Sequence, residues 1–581
     1  MEHFIKIQEN IIKDVMESCG YPVSEVTLTE SGKPELGDYQ YNGIMPLAKT
    51  YHQSPIEIAN VVVEKLRDIS NFESVNVAGP GFINIRFANA VLVDYMNELN
   101  HNLVNTISGN YNKTFVLDYG GPNVAKALHV GHFRPANIGE ALKRLARSQG
   151  AHVIADVHLG DWGRPLGLVI LEIKKRFPNL NYFKEEFTGV YEDLPISNAD
   201  LIEIYPFASA KAKEDEEYLE EARQITLDLQ SHKPGIYDLW KKIVTISIQD
   251  TKEIYNTLNV SFDLWYGESD AEKYMDSMLK CFEEKGLLRM SEGALIVDVK
   301  EENDDLEMPP VILRTSTGTV TYAATDLATI YQRVKDFNPD EIWYVVDQRQ
   351  SLHFKQVFRA ARMAGIVDEH VKLEFLWFGT MNGQDGKPFK TRDGGVMSLR
   401  GLIDTVKEET TKRLNPSIEE DKKDSISESI AIAALKYADL LPNRTTDYVF
   451  DPVKFSDLNG KTGPYLLYST IRMKSLLQKA SEQSVTYDIM NNIDNETRNI
   501  VIKLLGLASI LEKAFQNKSL SDITEYIYVL TSLYNNFYAT NKVLLENDKS
   551  KQESWLVLTN IVYQANQYLL NVLGIAIPEK M

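Results

Sequence analysis

Cysteine is nearly missing from this chain: its 581 residues include two, Cys19 and Cys281, far apart and without metal-type spacing. That argues against a disulfide framework or a zinc site and suits a reducing cytoplasm, the expected location. Positive charge is also short. Lys and Arg number 62 against 82 Asp and Glu, a formal net charge of −20, which argues against a protein that coats nucleic acid indiscriminately. A specific RNA partner stays possible, because phosphate binding needs only a local basic surface. Apolar runs such as 166–171 are too short to cross a bilayer, so no membrane partner is expected. The opening Met1-Glu2-His3-Phe4-Ile5-Lys6 lacks a signal-peptide layout. Neither the glycine spacing of a Walker A loop nor that of a dinucleotide fingerprint occurs around the chain's main histidine-rich loop.

What is present reads as an ordinary globular protein, with 44% hydrophobic and 25% charged residues. The length calls for two to four domains. The informative stretch is 115–158. Phe115-Val116-Leu117 is an apolar, β-favouring run, and Gly120-Gly121-Pro122-Asn123 breaks it. A helix follows from about Phe133, with Pro135 in its first turn, Ile138, Leu142 and Leu145 on its apolar face, and Gly150 at its end. Val153-Ile154-Ala155-Asp156-Val157 is the next strand, so the whole is a βαβ unit within a parallel sheet. His129 and His132 flank Val130-Gly131 where loop becomes helix. A helix start attracts anions, Gly131 admits a close ligand, and both imidazoles can donate to phosphate.

Gly121-Pro122-Asn123-Val124-Ala125-Lys126-Ala127-Leu128-His129-Val130-Gly131-His132-Phe133-Arg134 resembles the "HIGH" region of class I aminoacyl-tRNA synthetases, in the form used by arginyl-tRNA synthetases. His158-Leu159-Gly160-Asp161-Trp162-Gly163 is similar to the same family's Gly-Asp-Trp-Gly segment. The likeness runs along nearly the whole chain. It implies a multidomain α/β architecture: an N-terminal α+β accessory domain (1–106), a Rossmann-type parallel-sheet catalytic domain (107–425) with a helical insertion at about 173–258, and an all-α anticodon-binding bundle (426–581).

In the first of these, Ile5, Ile11, Ile12 and Val15 line an opening helix, Gly37-Asp38-Tyr39-Gln40 reads as a turn, and helices run to Ala48 and from Pro55 to Leu66. In the second, residues 211–221 read as a solvated helix face and the acidic cluster 301–305 as an exposed loop. Val260-Ser261-Phe262-Asp263 and Gly267-Glu268-Ser269 resemble the family's re-entry to the catalytic core. Val311-Ile312-Leu313-Arg314 is expected to resume the sheet, Tyr322 to open a helix, and Ile342-Trp343-Tyr344-Val345-Val346 to be a buried strand. Ligands of open parallel sheets sit beyond the strands' carboxyl ends, which would gather Asp118, Asn123, Tyr322, Asp326 and Gln350.

By the resemblance those five residues hold L-arginine, with Asp118 standing where a glutamate is common. A guanidinium is a planar fork of donors best met by carboxylates, and Tyr322 and Asp326, four apart, share a helix face. Pro122 through His132 would form the ATP-binding region, with His129 and His132 on the phosphates and Mg²⁺ arriving with ATP; no protein metal site is expected. The Lys-Met-Ser-Lys-Ser loop of class I enzymes is missing. Gly386-Lys387-Pro388-Phe389-Lys390-Thr391-Arg392 stands in its place, so Lys390, Arg392 and Lys126 complete the expected catalytic set. Aromatics of the C-terminal third, Tyr465, Tyr468, Tyr534, Phe537 and Tyr538, could stack on anticodon bases.

The implied activity is that of an arginine–tRNA ligase: arginine and ATP give arginyl adenylate and pyrophosphate, then tRNA(Arg) takes the acyl group and AMP leaves. The chain is expected to act as a monomer. A synthetase-like paralogue without charging activity and a class I enzyme for another amino acid are the competing readings.

Overall fold

The computed structural model describes residues 3–304, 307–387, 397–416 and 418–581. The chain divides into two compact units, one of Tyr111–Asp457 with Leu573–Ala576, the other of Met1–Asn110, Leu458–Val572 and Ile577–Met581.

The first unit is built on four parallel strands, β1 Thr114–Tyr119, β2 His152–Asp156, β3 Glu341–Val345 and β4 Lys372–Phe375, in the order β4-β3-β1-β2. Phe115 of β1 stands opposite Val153 on one side and Glu341 on the other. Every residue of β3, and Phe115 to Tyr119 of β1, is buried, as expected where a parallel sheet is covered on both faces. The chain leaves β1 through the 3₁₀ turn Val130–His132 and helix α1 Phe133–Ser148, and Gly150 at φ +86° turns it into β2. It returns to the other side of β1 as β3, so the topological switch lies between β1 and β3, where such folds bind ligands.

Helix α2, Tyr322–Phe337, precedes β3. Thr321 caps it by accepting from the Ala324 N–H, and Asn338 ends it at φ +44°. Helix α3, Ser351–Met363, follows β3. Ala324, Leu327, Ala328 and Ile330 of α2 and Val357, Ala360 and Ala361 of α3 enter one apolar core with Val116 and Ile342 of the sheet. Removing one such aliphatic side chain costs about 2–5 kcal/mol. The helical insertion comprises Arg164–Arg176, Asn198–Glu214, Glu216–Gln230 and Pro234–Thr257. Helix Glu420–Leu440 belongs to this unit too, tied to α1 by Asn137 Nδ2 on the Lys436 carbonyl (3.2 Å) and on Asp439 Oδ2 (2.9 Å).

One local expectation is overturned in this unit. Val311–Arg314 does not resume the parallel sheet but edges a three-stranded antiparallel sheet with Leu288–Ser291 and Ala294–Val297. Its alternation, Val311 and Leu313 buried with Ile312 exposed, is that of a sheet covered on one face. The acidic cluster is an exposed turn over Glu301, Glu302 and Asn303, as expected, with one side chain turned inward. Asp304 is enclosed, bonded to Arg359 at 2.6 and 2.8 Å and to Lys355 at 3.1 Å.

In the second unit an antiparallel sheet, Leu28–Glu30, Tyr39–Tyr41, Phe82–Phe87 and Phe72–Ala78 in spatial order, packs with helices Phe4–Ser18 and Pro55–Leu66. Tyr39 and Gln40 therefore lie in a strand rather than a turn: Tyr39 and Tyr41 face the core and Gln40 lies between them. Helices Gly463–Glu482, Arg498–Leu505, Leu507–Asn517, Leu520–Thr540 and Lys549–Val572 complete the unit.

Candidate functional site

A cavity of about 530 Å³ opens beyond the carboxyl ends of β1 and β3, within the usual size range for small-molecule sites. Its wall brings together Asp118, Asn123, His129, Gly131, His132, Tyr322, Asp326 and Gln350, all expected there, and adds His158, Glu268 and His353.

The loop that carries the two histidines is stitched in place. The Val124 N–H donates to the Gly160 carbonyl and the Gly160 N–H to the Pro122 carbonyl, each at 3.0 Å. A side chain at position 160 would come within 2.4 Å of Asn123 Oδ1, so glycine there is what lets Asn123 face the cavity. Ala125 adopts φ +60°, its N–H held by Ser247 Oγ at 3.1 Å. A non-glycine residue in that region costs on the order of 1 kcal/mol, here offset by the bond. Val124, Ala125, Leu128 and Val130 are buried and anchor the loop from below.

The histidines are arranged as donors. His129 Nδ1 accepts from the Gly131 N–H at 3.1 Å, and His132 Nδ1 accepts from the His129 N–H at 3.0 Å. This fixes the proton of each neutral ring on Nε2, the atom left for a ligand. Burial, then neighbouring His129 and Lys126, push the His132 pKa down to about 3. Burial and Lys126 lower that of His129. Both are therefore neutral N–H donors at physiological pH. Gly131 is required beside them, since a Cβ there would meet His129 Cε1 at 2.8 Å.

Carboxylates line the same cavity. Tyr322 and Asp326 occupy successive turns of α2, and His353 Nε2 of α3 lies 2.5 Å from Asp326 Oδ2. Glu268 is held at its backbone by the Leu159 carbonyl (3.0 Å), and the next residue, Ser269, donates its N–H (3.0 Å) and hydroxyl (2.5 Å) to Asp161. The Gly160-Asp161-Trp162-Gly163 segment thus positions Glu268. Burial first, then the charges of Asp326 and Asp161, push the Glu268 pKa up to about 9, so this carboxyl is protonated until a cation joins it.

Beneath these groups Arg333 of α2, almost wholly buried, donates from Nη2 to Asp118 Oδ2 and to Asp156 Oδ2, both at 2.7 Å. Asp118 lines the cavity as expected, but one of its oxygens is already engaged. Arg333, Glu268 and His353 are absent from the sequence-derived set. Arg333 carried a findable signal, since it lies seven residues beyond Asp326 on the same helix face.

Lys126 is not on the cavity wall; its Nζ lies 4.3 Å from the Tyr205 ring centroid. Lys390 and Arg392 fall outside the described residues. Among the described residues no three His, Cys, Asp or Glu side chains converge as a metal cage. In the other unit Tyr534 and Phe537 are core, while Tyr468 is 43% exposed and shares Arg472 with Tyr538, the guanidinium lying 5.6 and 4.9 Å from the two rings.

The chain matches the family model for the catalytic domain of class I tRNA synthetases (R) over residues 96–452. It also matches those for the arginyl tRNA synthetase N terminal domain over 6–87 and the DALR anticodon binding domain over 466–581. It is 43% identical over the full length of both chains to the arginine–tRNA ligase of Alkaliphilus oremlandii. Identity is 41% over 99% of each chain to that of Francisella tularensis subsp. novicida. The solved arginyl-tRNA synthetases of Plasmodium falciparum (TM-score 0.81, 24% identity) and Thermus thermophilus (TM-score 0.78, 20% identity), covered in full, share its fold. A parallel sheet with its cavity at the switch point, the His129–His132 donor loop and full-length identity to curated relatives point the same way: the chain belongs to the arginyl-tRNA synthetases of class I.

Proposed function

We propose that this arginine–tRNA ligase carries out its first step in the cavity between the His129–His132 loop and helix α2. The observation that carries the placement is the lining of one cavity by two neutral Nε2–H donors and two acids, Asp326 and Glu268. A guanidinium fork satisfies such acids with parallel charge-assisted bonds, whereas an ammonium leaves acceptors unpaired. Tyr322 closes that end, and Asn123, Gln350 and the free oxygen of Asp118 meet the amino-acid backbone.

The arginine carboxylate then attacks the α-phosphorus of ATP and pyrophosphate departs with the broken P–O bond. Alignment of the two substrates and hydrogen bonds from His129 and His132 to the phosphate oxygens lower the barrier. Mg²⁺ accompanies the phosphates and is held mainly by them and water, as is usual for this ion. Lys126 sets a positive charge beside His129, and Lys390 and Arg392 complete the nucleotide side. In the second step the terminal ribose hydroxyl of tRNA(Arg) attacks the adenylate carbonyl, AMP leaves, and the anticodon is read by the C-terminal bundle. The proposed setting is the cytoplasm and the proposed working form a monomer.

The test is tRNA charging with arginine, lysine and glutamine side by side. Arginine alone should be esterified, with arginine-dependent ATP–pyrophosphate exchange appearing when tRNA is added. Equal charging with lysine, or none with arginine, would overturn the reading.

A further inference from the structure

His158 is a polar side chain of the cavity wall with no hydrogen-bond partner among the described residues. It follows β2 by two residues, at the same edge of the sheet as Asp118. Its backbone stands at φ +46°, a conformation that side-chain-bearing residues rarely adopt and that clusters at functional sites. The backbone is fixed there: its N–H reaches Asp156 Oδ1 at 3.3 Å, and its carbonyl fills the space a Cβ on Gly121 would need, at 2.6 Å. Both ring nitrogens are buried, and neither makes a hydrogen bond with the described residues. The nearby Asp156 Oδ2 is 3.8 Å from Nδ1 and is occupied by Arg333 at 2.7 Å.

An imidazole always presents a donor, an acceptor or both, and buried polar atoms in native proteins are nearly always bonded to something. Two unmade bonds on a ring held in an unfavourable backbone state, whose residue lines a ligand cavity while its nitrogens are closed off, mark a group that a turn of the ring would present to the ligand. Of the acids on the surrounding wall, Asp347 is paired with Arg349, which leaves Glu268 and the second oxygens of Asp118 and Asp326 to draw a cationic ligand end rich in N–H donors. The complementary part for an imidazole is its lone pair.

We propose that His158 is a contact residue of the amino-acid site, one imidazole nitrogen accepting a hydrogen bond from a nitrogen of bound L-arginine. This rests on the reading of the cavity as the arginine site. In that role His158 shares the substrate with Asp326 and Glu268 of the same cavity. It does not act on the phosphates.

The experiment uses the full chain with ¹⁵N-histidine labelling and three variants, His158→Ala, His158→Phe and Asp326→Asn, the last removing a charge from the proposed arginine site. In the unsubstituted protein the His158 ring resonances, assigned by their loss in His158→Phe, should shift on adding L-arginine and stay in place on adding ATP. His158→Ala and His158→Phe should each raise the arginine KM about tenfold, the loss of one buried bond to a charged group. The ATP KM and the thermal midpoint of the phenylalanine variant should stay near those of the parent. Unmoved resonances, or wild-type arginine KM in both His158 variants while Asp326→Asn weakens arginine, would overturn this inference alone. Wild-type arginine KM in all three variants would overturn the placement of arginine in the cavity as well. Equal losses for arginine and ATP in the His158 variants would reduce His158 to a packing residue.

Discussion

Arg498 and Arg333 are both buried guanidinium groups clamped to aspartate, one in each compact unit, and they differ in how completely they are satisfied. Arg498 meets Asp38 through Nε at 3.1 Å and Nη2 at 2.7 Å, Asn89 through Nη1 at 2.7 Å and the Phe87 carbonyl at 2.8 Å. Asp38 in turn receives the Phe87 N–H at 2.8 Å. Arg333 grips two aspartates through one nitrogen, Nη2, while Nη1 is buried with no hydrogen-bond partner among the described residues. A fully bonded buried pair fixes structure; a partly bonded one beside a cavity keeps bonding capacity near a ligand. The Asp38 cluster is a fastener between an N-terminal strand segment and a C-terminal helix. The Arg333 cluster is a floor.

The largest effect should come from removing each arginine. Arg333→Ala leaves Asp118 and Asp156 enclosed without countercharge, a loss of about 3–5 kcal/mol, and should abolish arginine-dependent pyrophosphate exchange. Arg498→Ala should cost a similar amount, but hydrogen exchange should rise in the sheet and helices of its own unit, with the arginine KM within about twofold of normal. If Arg498→Ala weakens arginine as much as Arg333→Ala does, the contrast collapses.

A smaller effect is expected from pH. Glu268 is protonated in the free protein, its pKa pushed up to about 9 chiefly by burial and then by Asp326 and Asp161. A guanidinium beside it favours the ionised form, so arginine binding releases a proton. Affinity should therefore rise with pH, by at most about tenfold per unit, up to about pH 9 and level off above it. Calorimetry in buffers of different ionisation enthalpy reads the released proton. Glu268→Gln should flatten the slope, and an unchanged slope would remove Glu268 from the guanidinium end.

Lys126 gives the smallest change. Its ammonium lies over Tyr205 and reaches the site only as a charge near His129. Lys126→Ala should slow adenylate formation by at most about tenfold and leave arginine binding unchanged; equal losses in both would refute the assignment.

Local signals in the chain were strong wherever one element sufficed. The β1–α1–β2 unit, the start of α2 at Tyr322 and the buried strand around Trp343 follow from run length, capping and breakers, and the paired histidines follow from their spacing. Residues defined by partners far along the chain were not legible. Asp118 meets Arg333 across 215 positions, and no periodicity reports that distance. Glu268 stands out in the sequence only through the resemblance of Gly267-Glu268-Ser269 to the family, because its role depends on Asp161 and Asp326 arriving beside it. Val311–Arg314 has the composition of a parallel strand, and only its neighbours decide which sheet it joins. Tyr39 and Tyr41 did carry a strand signal, an alternation about Gln40 that the preceding Gly37-Asp38 obscured.

The fastening of Asp38 by Arg498 also has a timetable. The two residues are separated by 460 positions, and at a synthesis rate of about 5–20 residues per second the second follows the first by roughly 20–90 s. Through that interval the amino-terminal sheet leaves the ribosome without its countercharge, and the unit that contains the parallel sheet is synthesised almost entirely in between. Completion of the first-made part of the molecule is thus among its last events. A translational pause before the codon for Arg498 prolongs exposure of the amino-terminal domain to proteases and chaperones rather than that of the catalytic sheet.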